Sequence, residues 1–176
     1  NLRNKKNLNN HLIKNLYVEG VPKNLKDTVF PFEYNNISEL NKIINSKNIG
    51  VIKMEVERNQ PPRNNFLKKV RDICNKKNII LIFDECTSGF RETFGGLHKK
   101  YGVEPDMIIL GKTLGNGYAI TAVVGKDEIM KAAQETFISS TFWTERVGPS
   151  AALKTLEVME CEKSWDQITA SGLTIT

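Results

Sequence analysis

Histidine is nearly absent from this 176-residue chain, which has only His11 and His98, far apart in sequence. Metal centres and Ser-His chemistry both draw on histidine, so both find few materials here. The two side chains read as solvated loop or surface residues. Cysteine is equally sparse. Cys74, Cys86 and Cys161 make neither an even count nor a C-x-x-C spacing. That argues against a disulfide framework and a structural zinc site, and it points to a reducing cytoplasm. No apolar run approaches the roughly 18 residues that span a bilayer, and no signal peptide is visible. Aromatics make up 8% of the chain, and none interleaves with the lysine pairs at 5–6, 68–69, 76–77 and 99–100. A base-stacking platform for nucleic acid is therefore missing. An initiator methionine is also missing: the chain opens on Asn1 and ends on SGLTIT. Both ends read as cuts through a longer protein.

What is present is ordinary for a soluble globular chain: 40% hydrophobic and 26% charged residues. The length allows one sizeable core. The net charge of +5, from 25 basic and 20 acidic residues, is spread along the chain. It fits a solvated surface better than a nucleic-acid footprint.

Residues 1–36 read as an irregular, extended lead-in, with five asparagines in the first ten positions and prolines at 22 and 31. ISELNKIINSK (37–47) places Leu40, Ile43 and Ile44 on one helical face, with Ser38 as a plausible N-cap. A second helix over 65–77 aligns Phe66, Val70, Ile73 and Cys74. Helices are also expected over 127–133 and 150–163. Between them stand the apolar runs GVIKMEV (50–56), IILIF (79–83), MIIL (107–110) and AITAVVG (119–125). IILIF shows no polar alternation, as in a parallel strand buried on both faces. Strands alternate with helices, so the expected class is α/β, a mostly parallel sheet with helices on both faces. Ligands in such sheets gather at the carboxyl ends of strands. Asp84, ending one run, and Lys112, just after another, would both stand at that edge.

GKTLGNG (111–117) looks at first like the end of a phosphate-binding P-loop. A P-loop needs a glycine five residues before Gly111, where backbone N–H groups wrap phosphate. That position is Asp106, and four of the six residues leading to Gly111 are apolar. The acidic strand also precedes the lysine instead of following it. The P-loop reading fails on chemistry.

A lysine beside a carboxylate at a sheet edge can form a structural ion pair. It can also form a Schiff base with an aldehyde cofactor. Pyridoxal phosphate additionally needs an acid at its ring nitrogen. The stretch LIFDECTSGFRETFGGLHKKYGVEPDMIILGKTLGNGYAITAVVG resembles the core of the class III aminotransferases, the glutamate-1-semialdehyde aminomutase-like branch above all. It carries an apolar strand, Asp-Glu, Ser-Gly-Phe-Arg, Pro-Asp and a Gly-Lys followed by glycines, with 28 residues from Asp84 to Lys112.

The resemblance implies part of the large domain of a fold-type I pyridoxal 5'-phosphate-dependent transferase over residues 37–163. Residues 164–176 would begin the connection to a small domain. It makes Lys112 the Schiff-base lysine and proton shuttle, and Asp84 the partner of the pyridine nitrogen. Cys86 would pack on the ring face and Thr87 would stand beside the ring's phenolic oxygen. Glu85 would orient the strand end or neighbouring loops. In STFWTERVGPSAAL, Thr144, with Thr141 as the other candidate, would meet the cofactor phosphate of a partner subunit, implying a homodimer with shared sites. Helix capping is the alternative role for that segment. Glu55 matches a glutamate near the substrate, though Val56 stands where the family has proline. Arg91 would bind a carboxylate or tie down the following loop. The implied chemistry moves an amino group between a small donor and acceptor: an amino acid and a keto or aldehyde compound, sugars included. The family's Ser-Gly-Thr phosphate turn is not found here. A cofactor-free chain that keeps the fold without catalysis therefore stands as the alternative.

Overall fold

The computed structural model describes Pro22, Asn24, residues 28–57 and residues 59–175. His11 and most of the expected lead-in over 1–36 lie outside the described residues. The chain divides into two compact units, Asn1–Asn48 and Ile49–Thr176.

In the first unit, α1 runs Ile37–Ser46 and buries Leu40 and Ile44, as the periodicity predicts. Its N-cap is Asn36, not Ser38: the Asn36 side chain accepts from Glu39 N at 3.0 Å. The Glu39 side chain reaches back to accept from Glu33 N at 2.7 Å. Asparagine satisfies the orphan N–H groups as well as serine does, and here it stands immediately before the first helical residue.

The second unit holds a four-stranded sheet in the order β1 (Val51–Met54), β2 (Ile80–Glu85), β3 (Met107–Leu110), β4 (Ala122–Gly125). β1–β2 and β2–β3 are parallel, and β3–β4 is antiparallel. The mostly parallel sheet therefore ends on an antiparallel edge strand. The antiparallel pairing follows from the short return through Lys112–Leu114, a 3-10 turn, where a parallel crossover would need a dozen residues or more.

Strand register assigns side chains to faces. Ile52 pairs with Leu81, Met54 with Phe83, and Glu85 with Leu110. This face is buried, with Leu81 and Phe83 fully inaccessible. α2 (Phe66–Lys77) packs on it and buries Phe66, Leu67, Val70 and Cys74. The other face carries Val51, Lys53, Ile82, Asp84, Ile109 and Val123. Within this unit Val51 and Val123 are each 49% exposed. A second apolar cluster, Phe90, Leu110, Leu114, Ala152 and Met159, joins the end of β3 to α5 (Val147–Glu162). After a single αL residue, Lys163, the chain enters α6 (Ser164–Ile175), so a helix stands where a connection is expected. Trp165 of α6 packs on the same cluster. Short helices α3 (His98–Tyr101) and α4 (Asp127–Met130) complete the unit. The helix expected over 127–133 turns to 3-10 geometry from Lys131 to Glu135.

Candidate active site

Because β2 and β3 run parallel, their carboxyl ends share one edge, as the strand pattern predicts. Asp84 pairs with Ile109 in register, one residue before the end of each strand. Two residues after β3, the Lys112 amine donates to Thr87 Oγ1 at 2.9 Å. Asp84, Thr87 and Lys112 are thereby brought together. Among the described residues Lys112 has no ion-pair partner, so its amine is not locked against a carboxylate. Its backbone lies in the left-handed region, with φ 43°, a conformation that lysine adopts only under constraint. The constraint is visible next door. A Cβ on Gly111 would stand 2.7 Å from Cys86 Sγ, so only glycine lets the lysine turn sit against the β2 end. Cys86 is half-buried and acts here as a small packing group.

Asp84 is the electrostatic centre of the edge. Burial opposes its ionisation. Against that, hydrogen bonds from Lys53 Nζ to Oδ2 at 2.7 Å and from Cys86 N to Oδ1 at 3.3 Å hold its carboxyl below the usual range. The positive charges of Lys53 and Lys112 pull in the same direction.

Glu85, next along the strand, points to the opposite face and is fully buried. Its Oε2 accepts from Leu97 N and from Ser88 Oγ at 3.3 Å. Its Oε1 accepts from His98 N at 3.3 Å and stands 2.5 Å from His98 Nδ1. Facing an acceptor that already takes other donors, that ring nitrogen carries the proton. Glu85 therefore ties residues 86–98 back to the strand end, the orienting role expected of it. The expectation that His98 is a solvated residue is overturned: it is 4% exposed and wedged beside Phe83. Gly96 makes the fit possible, since a Cβ there would meet the His98 ring at 2.3 Å.

Other expected residues lie elsewhere. Glu55 follows β1 directly and is half-buried at the same sheet edge. Thr144 and Thr141 are exposed in the turn before α5. No hydrogen bond joins either to Lys112, Thr87 or Asp84 among the described residues. Arg146 is the N-cap of α5, and Glu145 before it closes the helix start, its carboxylate accepting from Val147 N and Gly148 N. Arg91 is exposed. Lys53 escapes a sequence reading, because its pairing with Asp84 depends on the β1–β2 register; the one signal was a lone cation inside a β-branched run.

Comparison with known proteins follows this geometry. The family model Aminotransferase class-III matches residues 59–176. The chain is 38% identical over 162 residues to the 3-aminobutyryl-CoA aminotransferase of Cloacimonas acidaminovorans, covering 87% of this chain and 39% of that protein. It is 34% identical over 158 residues to the glutamate-1-semialdehyde 2,1-aminomutase of Natranaerobius thermophilus, covering 85% and 37%. The PLP internal aldimine form of the FumI protein of Sphingopyxis sp. MTA144 superposes with a TM-score of 0.75 at 26% identity, over 80% of this chain and 36% of that one. An omega-transaminase from Sphaerobacter thermophilus gives 0.74 at 26% identity, over 81% and 35%. The chain thus spans less than two-fifths of the length of these relatives.

Proposed function

Because the chain belongs to the class III aminotransferase family, we propose that it carries the amine and carboxylate of a pyridoxal 5'-phosphate-dependent amino-group transfer. The substrates would be a small amino donor and a keto or aldehyde acceptor, in the manner of an aminotransferase or aminomutase. One observation carries this reading. At a single sheet edge, an amine with no ion-pair partner among the described residues stands beside a carboxyl held ionised. An aldehyde cofactor with a basic ring nitrogen requires that pair.

The residues present fit such a group. Lys112 would anchor it through Nζ, and Asp84 would hold a proton on its ring nitrogen. When bound, the cofactor supplies an electron sink for negative charge developing on a substrate carbon. Thr87 orients the Lys112 amine through the bond at 2.9 Å. As proton shuttle, the free Lys112 amine would take a proton at Nζ from the reacting substrate carbon and give it back where the amino group is redistributed. Cys86 and Gly111 close the floor of the crevice without adding charge. Glu55, at the end of β1, is placed to adjust a substrate-binding group.

Thr144 would contact the phosphate from a partner subunit in a homodimer. Its exposure on its own subunit supports that role, as do the exposed aromatics near it in sequence, Phe137 at 95% and Trp143 at 70%. The three cysteines are free, in keeping with a cytoplasmic location. Among the described residues, no helix is long and apolar enough to cross a membrane.

The test is covalent mapping. The full protein is incubated with pyridoxal 5'-phosphate, reduced with borohydride and digested. The wild-type peptide containing Lys112 should gain the reduced cofactor's mass, and Lys112→Ala should gain none. Labelling of another lysine in the variant at wild-type yield would overturn the reading.

A further inference from the structure

Asp84 is engaged by donors of its own chain. Lys53 Nζ lies 2.7 Å from Oδ2, and Cys86 N lies 3.3 Å from Oδ1. The contact is built by strand register. Lys53 pairs with Ile82 on the neighbouring parallel strand, two residues before Asp84, so both side chains rise from the same face. The lysine is held only at its base: its side chain is 54% exposed, against 28% for Asp84. Its long stem can therefore swing into water without disturbing the buried face of the sheet.

We propose that Lys53 is a positioning and affinity-setting residue of this site, an internal cation that competes with a protonated pyridine nitrogen for the Asp84 carboxylate. The inference rests on the cofactor reading above. A carboxylate offers about four lone-pair positions, so a third donor is geometrically admissible. Charge is what limits it. Lys53 and a pyridinium would share one negative charge, and like charges brought that close repel. Binding the ring nitrogen then either displaces Lys53 into solvent or proceeds against its field, and both routes weaken binding. A cationic ring nitrogen is thus held more loosely than Asp84 alone would hold it.

The test compares cofactor dissociation constants in the full protein, followed by absorbance titration. Lys53→Met and Lys53→Gln should each bind pyridoxal 5'-phosphate about two- to fivefold more tightly than wild type, the scale of a half-exposed ion pair. Lys53→Arg, which keeps the charge, should bind no more tightly than wild type. The gain should vanish for a cofactor analogue with CH in place of the ring nitrogen, a result that a merely structural role for Lys53 would not produce. Two neutral variants guard against one failing to fold, which circular dichroism would report. Affinity unchanged or weakened in the neutral variants, or an equal gain with the analogue, overturns the proposal and leaves the cofactor reading standing. Absence of any binding by the wild type would sink both.

Discussion

Glu85 shows how much one side chain can organise. It sits between Asp84 and Cys86, yet faces the other side of the sheet, and it gathers donors from Ser88, Leu97 and His98 inside the protein. A buried carboxylate is tolerated only where such donors replace water. Removing its charge while keeping its shape exposes the cost. In Glu85→Gln the amide NH2 must face N–H groups that want an acceptor. The variant should lose about 2–4 kcal/mol of stability, read as a lower urea midpoint with an unchanged slope. The loop carrying Thr87 begins at this anchor, so Lys112 should also lose its hydrogen-bond partner. A midpoint equal to that of wild type would show that the donors find other acceptors. The spacing of the Asp-Glu pair identified both residues, but only alternation along a strand separates them into one acid for the crevice and one for the core.

At the scale of elements, Asp106 ties several of them together through one side chain. From the entrance of β3 it accepts from Leu81 N of β2 at 2.8 Å, from Arg71 of α2 at 2.8 Å and from Lys126, just after β4, at 2.7 Å. Burial works against its ionisation, but these hydrogen bonds outweigh it and lower its carboxyl from the usual range. The folded-state pKa thus lies below the unfolded one. The stabilisation is present above the unfolded value and is lost as pH falls through the folded one. Asp84 contributes with the same sign. The urea midpoint of the full protein should therefore begin to drop below about pH 5 and keep falling as the pH passes down through the lowered carboxyl values. Asp106→Asn should show a lower midpoint at neutral pH and a shallower acid decline. An equally steep decline in that variant would assign the acid sensitivity elsewhere. In sequence Asp106 told only against phosphate, because its partners come from positions 71, 81 and 126 and meet only when the sheet forms.

For the molecule as a whole, the apolar segment before α5 is the conspicuous surface. Phe137, Ile138, Phe142 and Trp143, with Val147 opening α5, are all exposed, a concentration of large apolar side chains of the kind that marks contact surfaces. If this segment forms the subunit contact, Trp143→Asp combined with Phe142→Ser should halve the sedimenting mass of the full protein. Cofactor retention should fall as well, because Thr144 stands beside the substituted residues. A wild-type monomer would count against the homodimer, and a variant that stays dimeric would count against this segment as its contact. The strands were legible in sequence because their apolar runs are short and bounded, and Met107–Leu110 falls where MIIL does. So was the shared edge of Asp84 and Lys112, which follows from parallel pairing alone. The burial of His98 and the Lys53–Asp84 contact were not legible, since each depends on register or on a loop folding back. The helix over Ser164–Ile175 was missed because its polar residues carry no strong stripe; among its described residues none is buried.

The φ of 43° at Lys112 has a consequence beyond chemistry. Glycine would relax that turn, and a left-handed backbone costs an L-residue about 1–2 kcal/mol. A mutant library screened for heat resistance alone would therefore be rewarded for discarding the lysine. Breeding a hardier form of this protein calls for a screen that also asks whether it still works.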